Sequence, residues 1–202
     1  GASMKFRELI IESIMDPGVI SKELKMIVLR NSDLVQALLF ISIASVVVTY
    51  MTFWVPSFLF DQTLNELNLI ASIVSRNPFI FVILQCAILL MISLIITYGG
   101  QFFSGDGTFN NALAGVLWIN FILVGVNIFQ ILLIISIPIL ADFVALLASL
   151  WSIWALVVFS KELHGFNSLV VTGMVGLILF SLTVLILGSL LTFFGFVIIE
   201  GV

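Results

Sequence analysis

The chain alternates long apolar runs with short polar breaks, and the spacing of its apolar positions changes character near residue 33. Over residues 4–15, Phe6, Ile10 and Ile14 recur four apart, with Leu9 and Ile11 beside them and Lys5, Glu8 and Glu12 on the other side. This spacing predicts an amphipathic helix. Asp16-Pro17-Gly18 ends it, because proline breaks the hydrogen-bond ladder and disfavours a helical residue before it. A second amphipathic piece places Ile20, Leu24, Ile27 and Val28 at helical spacing. Both pieces suit the membrane interface or the underside of a helical bundle.

After Asn31-Ser32-Asp33, a group of N-capping side chains, the apolar runs become continuous. Apolar stretches of this length, charge-free but for Asp142, predict membrane-spanning helices at 34–60, 79–98, 111–135, 139–159 and 168–199. Tyr50 and Trp54 sit where aromatic rings favour the interface, and Pro56 is expected to kink or end the first span. Residues 61–76 mix Asp61, Glu66 and Arg76 with helically spaced Leu67, Ile70 and Val74, as a connecting interfacial helix would. Asn77-Pro78 is a helix start, and Ser136-Ile137-Pro138 a tight turn. The charge-free stretch 107–141 is too long for one span, so Asp142 is expected near an interface. The last run is long for one crossing, and tilt or a bend near Gly188 would absorb the excess.

Between the second and third spans lies a polar, glycine-rich island, Tyr98 to Leu113. Its glycines are expected to allow backbone turns closed to other residues. Lys161-Glu162-Leu163-His164-Gly165 reads as the loop between the fourth and fifth spans.

Composition turns this pattern into a class. The chain is 62% hydrophobic and 9% charged, against roughly 25% charged in a soluble domain. It reads as an all-α, multi-pass integral membrane protein: a five-helix bundle over 34–202 preceded by an amphipathic segment over 4–33. Gly1-Ala2-Ser3 reads as the remnant of a cleaved tag, and residues 4–33 are too charged for a signal peptide. Lys5, Arg7, Lys22, Lys25, Arg30 and Lys161 fall on one side of such a bundle and only Arg76 on the other. The positive-inside rule then places the N-terminus, the island and the 161–165 loop in the cytoplasm. Glu8, Glu12, Asp16, Glu23 and Asp33 interleave with those cations, which excludes a nucleic-acid-binding face. The lone Cys86 excludes a disulfide within the chain.

Catalytic patterns are missing. One histidine and one cysteine exclude a multi-His or Cys-cluster metal site, and Gly105-Asp106-Gly107-Thr108 lacks the Gly-Lys-Ser/Thr of a phosphate loop. No cofactor and no enzymatic activity are expected. The polar residues inside the spans carry more information. Asn120, Asn127 and Gln130 share one face of the third span, with Gln85 in the second and Asp142 opening the fourth. This seam serves either as interhelical hydrogen bonding or as the lining of a solute path or headgroup pocket. Ala141, Ala145 and Ala148, with Gly173 and Gly176, allow close helix packing. His164 is either a helix-end residue satisfied by the last carbonyls of its own span, or a sensor or lipid-phosphate partner together with the Lys161 loop.

The island Gly105-Asp106-Gly107-Thr108-Phe109, followed by a span with internal polar residues, resembles the Ypt-interacting-protein (Yip) domain family. Asp16-Pro17 and the Lys161–Gly165 segment are similar to its compact bacterial members, and the resemblance covers residues 16–199. One departure is Leu117-Trp118-Ile119-Asn120, where many members carry a proline early in the third span. The resemblance implies five spans with a cytoplasmic N-terminus. Eukaryotic relatives are linked to Rab-type GTPases and vesicle formation through an extended N-terminus, and the segment of about 30 residues before the first span here looks more like the compact form. The compact form implies a bacterial or archaeal cytoplasmic membrane, with a eukaryotic endomembrane as the alternative. The resulting expectation is a non-enzymatic protein whose partners are the bilayer and a protein at the cytoplasmic face. The alternative is a small channel or transporter, acting as a homo-oligomer along the seam.

Overall fold

Prolines, caps and one left-handed glycine cut the apolar runs into helices. The structure, a computed structural model, describes residues 6–27, 29–60 and 77–200. Its helices are α1 (Phe6–Met15), α2 (Gly18–Met26), α3 (Asn31–Phe60), α4 (Pro78–Phe102), α5 (Phe109–Ser136), α6 (Pro138–His164) and α7 (Leu169–Glu200). Among the described residues, five helices are long and apolar enough to cross a membrane: Asn31–Thr52, Pro78–Phe102, Phe109–Ser136, Pro138–His164 and Leu169–Ser189. The connecting helix expected over 61–76 lies outside the described residues.

The ends are set by local chemistry. Pro78 and Pro138 stand in the first turns of α4 and α6, where the missing N–H costs nothing. The Thr108 side chain caps α5 by accepting from the Asn111 N–H. Gly165, at φ 70°, closes α6, with the N–H of Phe166 donating to the Lys161 carbonyl at 2.9 Å. Two boundaries correct the sequence reading. α4 continues through Gly99 and Gly100 to Phe102, and α6 continues through Lys161–His164, so that segment is a final helical turn rather than a loop. Helix α3 likewise runs through Pro56.

Helix α5 is the axis. Six consecutive residues, Ala112 to Leu117, are buried, so every face of the helix is covered there. Helices α3, α4, α6 and α2 do the covering, and α7 leans on α4 and α6. One apolar cluster joins Leu34, Leu38 and Ile41 of α3 to Leu89 of α4 and Leu113, Val116 and Leu117 of α5. A second joins Ile20 of α2 to Ala112 and Ile119 of α5 and Ala155, Phe159 and Leu163 of α6. The outward faces stay apolar: Phe40, Val47, Ile83, Leu132, Leu146 and Val170 are all exposed. Such a belt suits lipid, where burial between helices is driven by close packing rather than by escape from water. The buried hydroxyls of Ser93 and Thr97 bond back to the Leu89 and Ser93 carbonyls, as an apolar surrounding requires.

The N-terminal pair is clamped to the bundle. The Trp118 indole N–H donates to Ser13 Oγ at 3.0 Å, and that of Trp151 donates to the Ile14 carbonyl at 3.0 Å. The Phe6 ring meets Trp118 edge-on at 5.7 Å. Ile20 of α2 is 3% exposed.

At Gly115 helices α5 and α6 meet closely, since a Cβ there would overlap the Phe159 ring. Gly115→Ala should therefore lower stability by about 1–3 kcal/mol despite its better helix propensity. Thermal unfolding in detergent measures this, and an unchanged or raised midpoint would contradict the packing described.

Candidate functional site

The end of α6 meets the end of α4 and the island that follows it on one side chain. His164 ends α6 and is 4% exposed. Its Nδ1 lies 3.1 Å from the N–H of Gly107 in the island, and its Nε2 lies 2.9 Å from the Ile96 carbonyl in α4. A backbone N–H can only donate and a carbonyl can only accept. Both bonds are made only by the neutral imidazole with its hydrogen on Nε2. Phe166 stacks on the ring at 5.4 Å, nearly parallel. The side chain is thus satisfied by α4 and the island, and not by the last carbonyls of its own helix.

Three of the island's glycines lie against this ring. A Cβ on Gly100 or Gly105 would overlap the imidazole, and one on Gly107 would lie 2.5 Å from Cε1. None of these glycines has a positive φ; among the described residues the left-handed positions are Ser104 (φ 63°) and Gly165. The expectation that the glycines serve backbone turns is corrected: they serve close approach. The loop is held further by Gln101, whose amide donates to the Gly107 carbonyl at 3.0 Å, and by the Gly105 N–H on the Gly100 carbonyl at 2.9 Å.

The other island residues divide. Asp106 is exposed, Thr108 caps α5, and Phe109 packs against the first apolar cluster. Lys161 pairs with Glu162 at 2.8 Å rather than joining the ring. Glu162 links instead to α2: its carbonyl accepts from Lys25 Nζ at 3.3 Å, and its side chain lies against Gly18.

The intramembrane seam is a separate place. Gln85, Asn120 and Asn127 line a cavity of about 220 Å³ between α3, α4 and α5. Gln130 is not among its lining residues, and Asp142 is exposed in the first turns of α6. Sequence reasoning missed two of the polar lining residues, Ser45 and Thr49 of α3. Single hydroxyls in a span commonly bond to their own helix, so they give no signal by themselves.

The lock between His164 and Gly100 makes a double-mutant test. Gly100→Ala alone should destabilise by about 1–3 kcal/mol, because the doubly bonded ring cannot yield. In a His164→Ala background the same change should be neutral or stabilising by up to about 1 kcal/mol, the ordinary helix preference for alanine. Additive effects in chemical or thermal unfolding would contradict the contact.

Neither a curated protein nor a solved structure matches this chain. A family model does: the Yip1 domain matches residues 11–191, from α1 into α7, spanning both the glycine island and His164. With its five apolar helices and this match over nearly its whole length, the chain belongs to the Yip1 domain family of multi-pass integral membrane proteins.

Proposed function

We propose that this protein is a non-enzymatic scaffold that binds a partner or organises the membrane through the face at which its N-terminus and glycine island meet. One observation carries the reading: α2 is fastened to the same end of α6 that receives the island. Lys25 and Gly18 of α2 meet Glu162, two residues from the His164 lock. The amphipathic helices and the island therefore form one continuous surface instead of a loose tail beside a bundle. Exposed Lys22, Lys25, Gln101, Ser104 and Asp106 give it charge of both signs. Exposed Phe6, Ile11, Ile14 and Met15 on α1 supply an apolar border beside it. A surface of this kind suits a protein partner held at the bilayer. By the distribution of lysine and arginine, this is the cytoplasmic face.

The alternative, a small channel or transporter, draws on the cavity at Gln85, Asn120 and Asn127. It is the weaker reading, because the apolar cluster of Leu38, Ile41, Leu89 and Leu117 fills the same three helices nearer the His164 end.

Photo-crosslinking residues placed at Asp106 and Lys22 in native membranes should capture a discrete protein, and one placed at Ser136 at the other end should not. Capture at Ser136 alone, or at none of the three, contradicts the scaffold reading. Solute flux in liposomes that Asn127→Leu abolishes would favour the transporter instead.

A further inference from the structure

The cavity between α3, α4 and α5 has an unusual lining for the interior of a membrane bundle. Ser45 and Thr49 come from α3, Gln85 from α4, and Asn120 and Asn127 from α5. All five are polar and none is charged. The Asn120 amide N–H₂ donates to its own helix at Val116, 3.0 Å away, which leaves its carbonyl oxygen for the cavity. The Gln85 and Asn127 side chains have no hydrogen-bond partner among the described residues. One turn before Ser45 on the same face of α3, Ser42 is fully buried and its Oγ is also without a partner. A fully buried group such as Ser42 Oγ costs several kcal/mol when left unmade, whereas Gln85 and Asn127 are half-buried and open onto the cavity. Two hydroxyls and three amides gathered on the facing walls of one cavity therefore suit an occupant that both donates and accepts hydrogen bonds.

The dimensions and position narrow the occupant. A volume of about 220 Å³ holds about seven waters, at roughly 30 Å³ each. Ser45 and Thr49 lie at and just past the middle of α3, while Phe81 and Gln85 lie in the first turns of α4. The α4 residues place the cavity on the side of the bundle's middle remote from His164. Toward His164 the same helices close over Leu34, Leu38, Ile41, Leu89, Leu113 and Leu117. The cavity thus has mixed walls, with Val46, Phe81, Leu123 and Val124 beside the five polar residues, and is closed toward His164. A dehydrated ion would find no opposite charge in the lining to offset its lost hydration. An uncharged group with several hydroxyls would satisfy both the amide donors and the amide acceptors.

We propose that this cavity is a hydrated site, entered from the face remote from His164, for a small uncharged polyhydroxyl group. The group is either a free polyol or the headgroup of a neutral glycolipid. This site is independent of the partner-binding surface at the other end, and each can fail without the other.

Thiol accessibility tests it in phosphatidylcholine vesicles, with Cys86→Ser removing the natural thiol. Asn127→Cys and Thr49→Cys sample the cavity from two helices. Ala114→Cys samples the apolar closure, and Ser136→Cys an exposed position. A membrane-impermeant sulfonated methanethiosulfonate should modify both cavity thiols at least about ten-fold faster than Ala114→Cys. Glycerol in the buffer, or a monoglucosyl diacylglycerol in the vesicle, should slow the cavity thiols several-fold and leave Ser136→Cys unchanged. Protection by glycerol identifies the free polyol, and protection by the glycolipid alone identifies the headgroup. Cavity thiols as slow as Ala114→Cys would overturn the hydrated site. Fast modification that neither polyol slows would overturn the ligand.

Discussion

The one histidine of the chain, His164, holds two elements together through the two nitrogens of a neutral ring. Nδ1 takes the Gly107 N–H and Nε2 gives its hydrogen to the Ile96 carbonyl. Because a protein interior strengthens such bonds and penalises their loss, both partners are fixed together. The island can lie close to α4 and α6 only because Gly100, Gly105 and Gly107 present no side chain to the ring. The turn after His164 is closed by Gly165, and Phe166 folds back over the imidazole. Remove the ring and the island loses its anchor, α5 its fixed entry point, and α2 the ordered end of α6 against which Lys25 and Gly18 rest.

From that anchor the rest of the bundle follows. The island leads into α5 at the Thr108 cap, and the first turns of α5 are surrounded on all sides. Helix packing in lipid gains little from apolar burial, so close contact must supply the specificity, and Gly115 against Phe159 supplies one such contact. The amphipathic pair α1–α2 is then no free tail. Two tryptophans hold α1 by their indole N–H groups, and Glu162 holds α2 beside the lock. The far half of the bundle differs in kind. There, amides and hydroxyls face a cavity instead of one another.

Much of the architecture was legible in the apolar pattern. Five long apolar runs, charge-free but for Asp142, became five long helices. The family resemblance read from the island matched over residues 11–191. The errors lie at helix ends and have one physical source. Gly99-Gly100 and Lys161-Glu162 interrupt the apolar pattern as loops do, but Gly100 packs against the ring and Lys161 and Glu162 are good helix formers, so both helices run on. The lock itself joins residues 57 and 68 positions apart, and no local spacing encodes that. Glycines gathered around 100–107 signal close approach to something bulky without naming it. On α5, the seven-residue spacing of Asn120 and Asn127 did place both on one face, whereas the α3 hydroxyls opposite them had no periodic signature.

The most direct test of the account is the state of the His164 ring. With a single histidine in the sequence, the imidazole nitrogens of ¹⁵N-histidine-labelled protein can be assigned without ambiguity. The structure predicts one neutral tautomer at neutral pH, with a protonated Nε2 and a hydrogen-bonded, unprotonated Nδ1, and loss of that pattern when Gly107→Ala displaces the loop. Exchange-averaged shifts typical of a ring in water, or the opposite tautomer, would contradict the lock on which this arrangement depends.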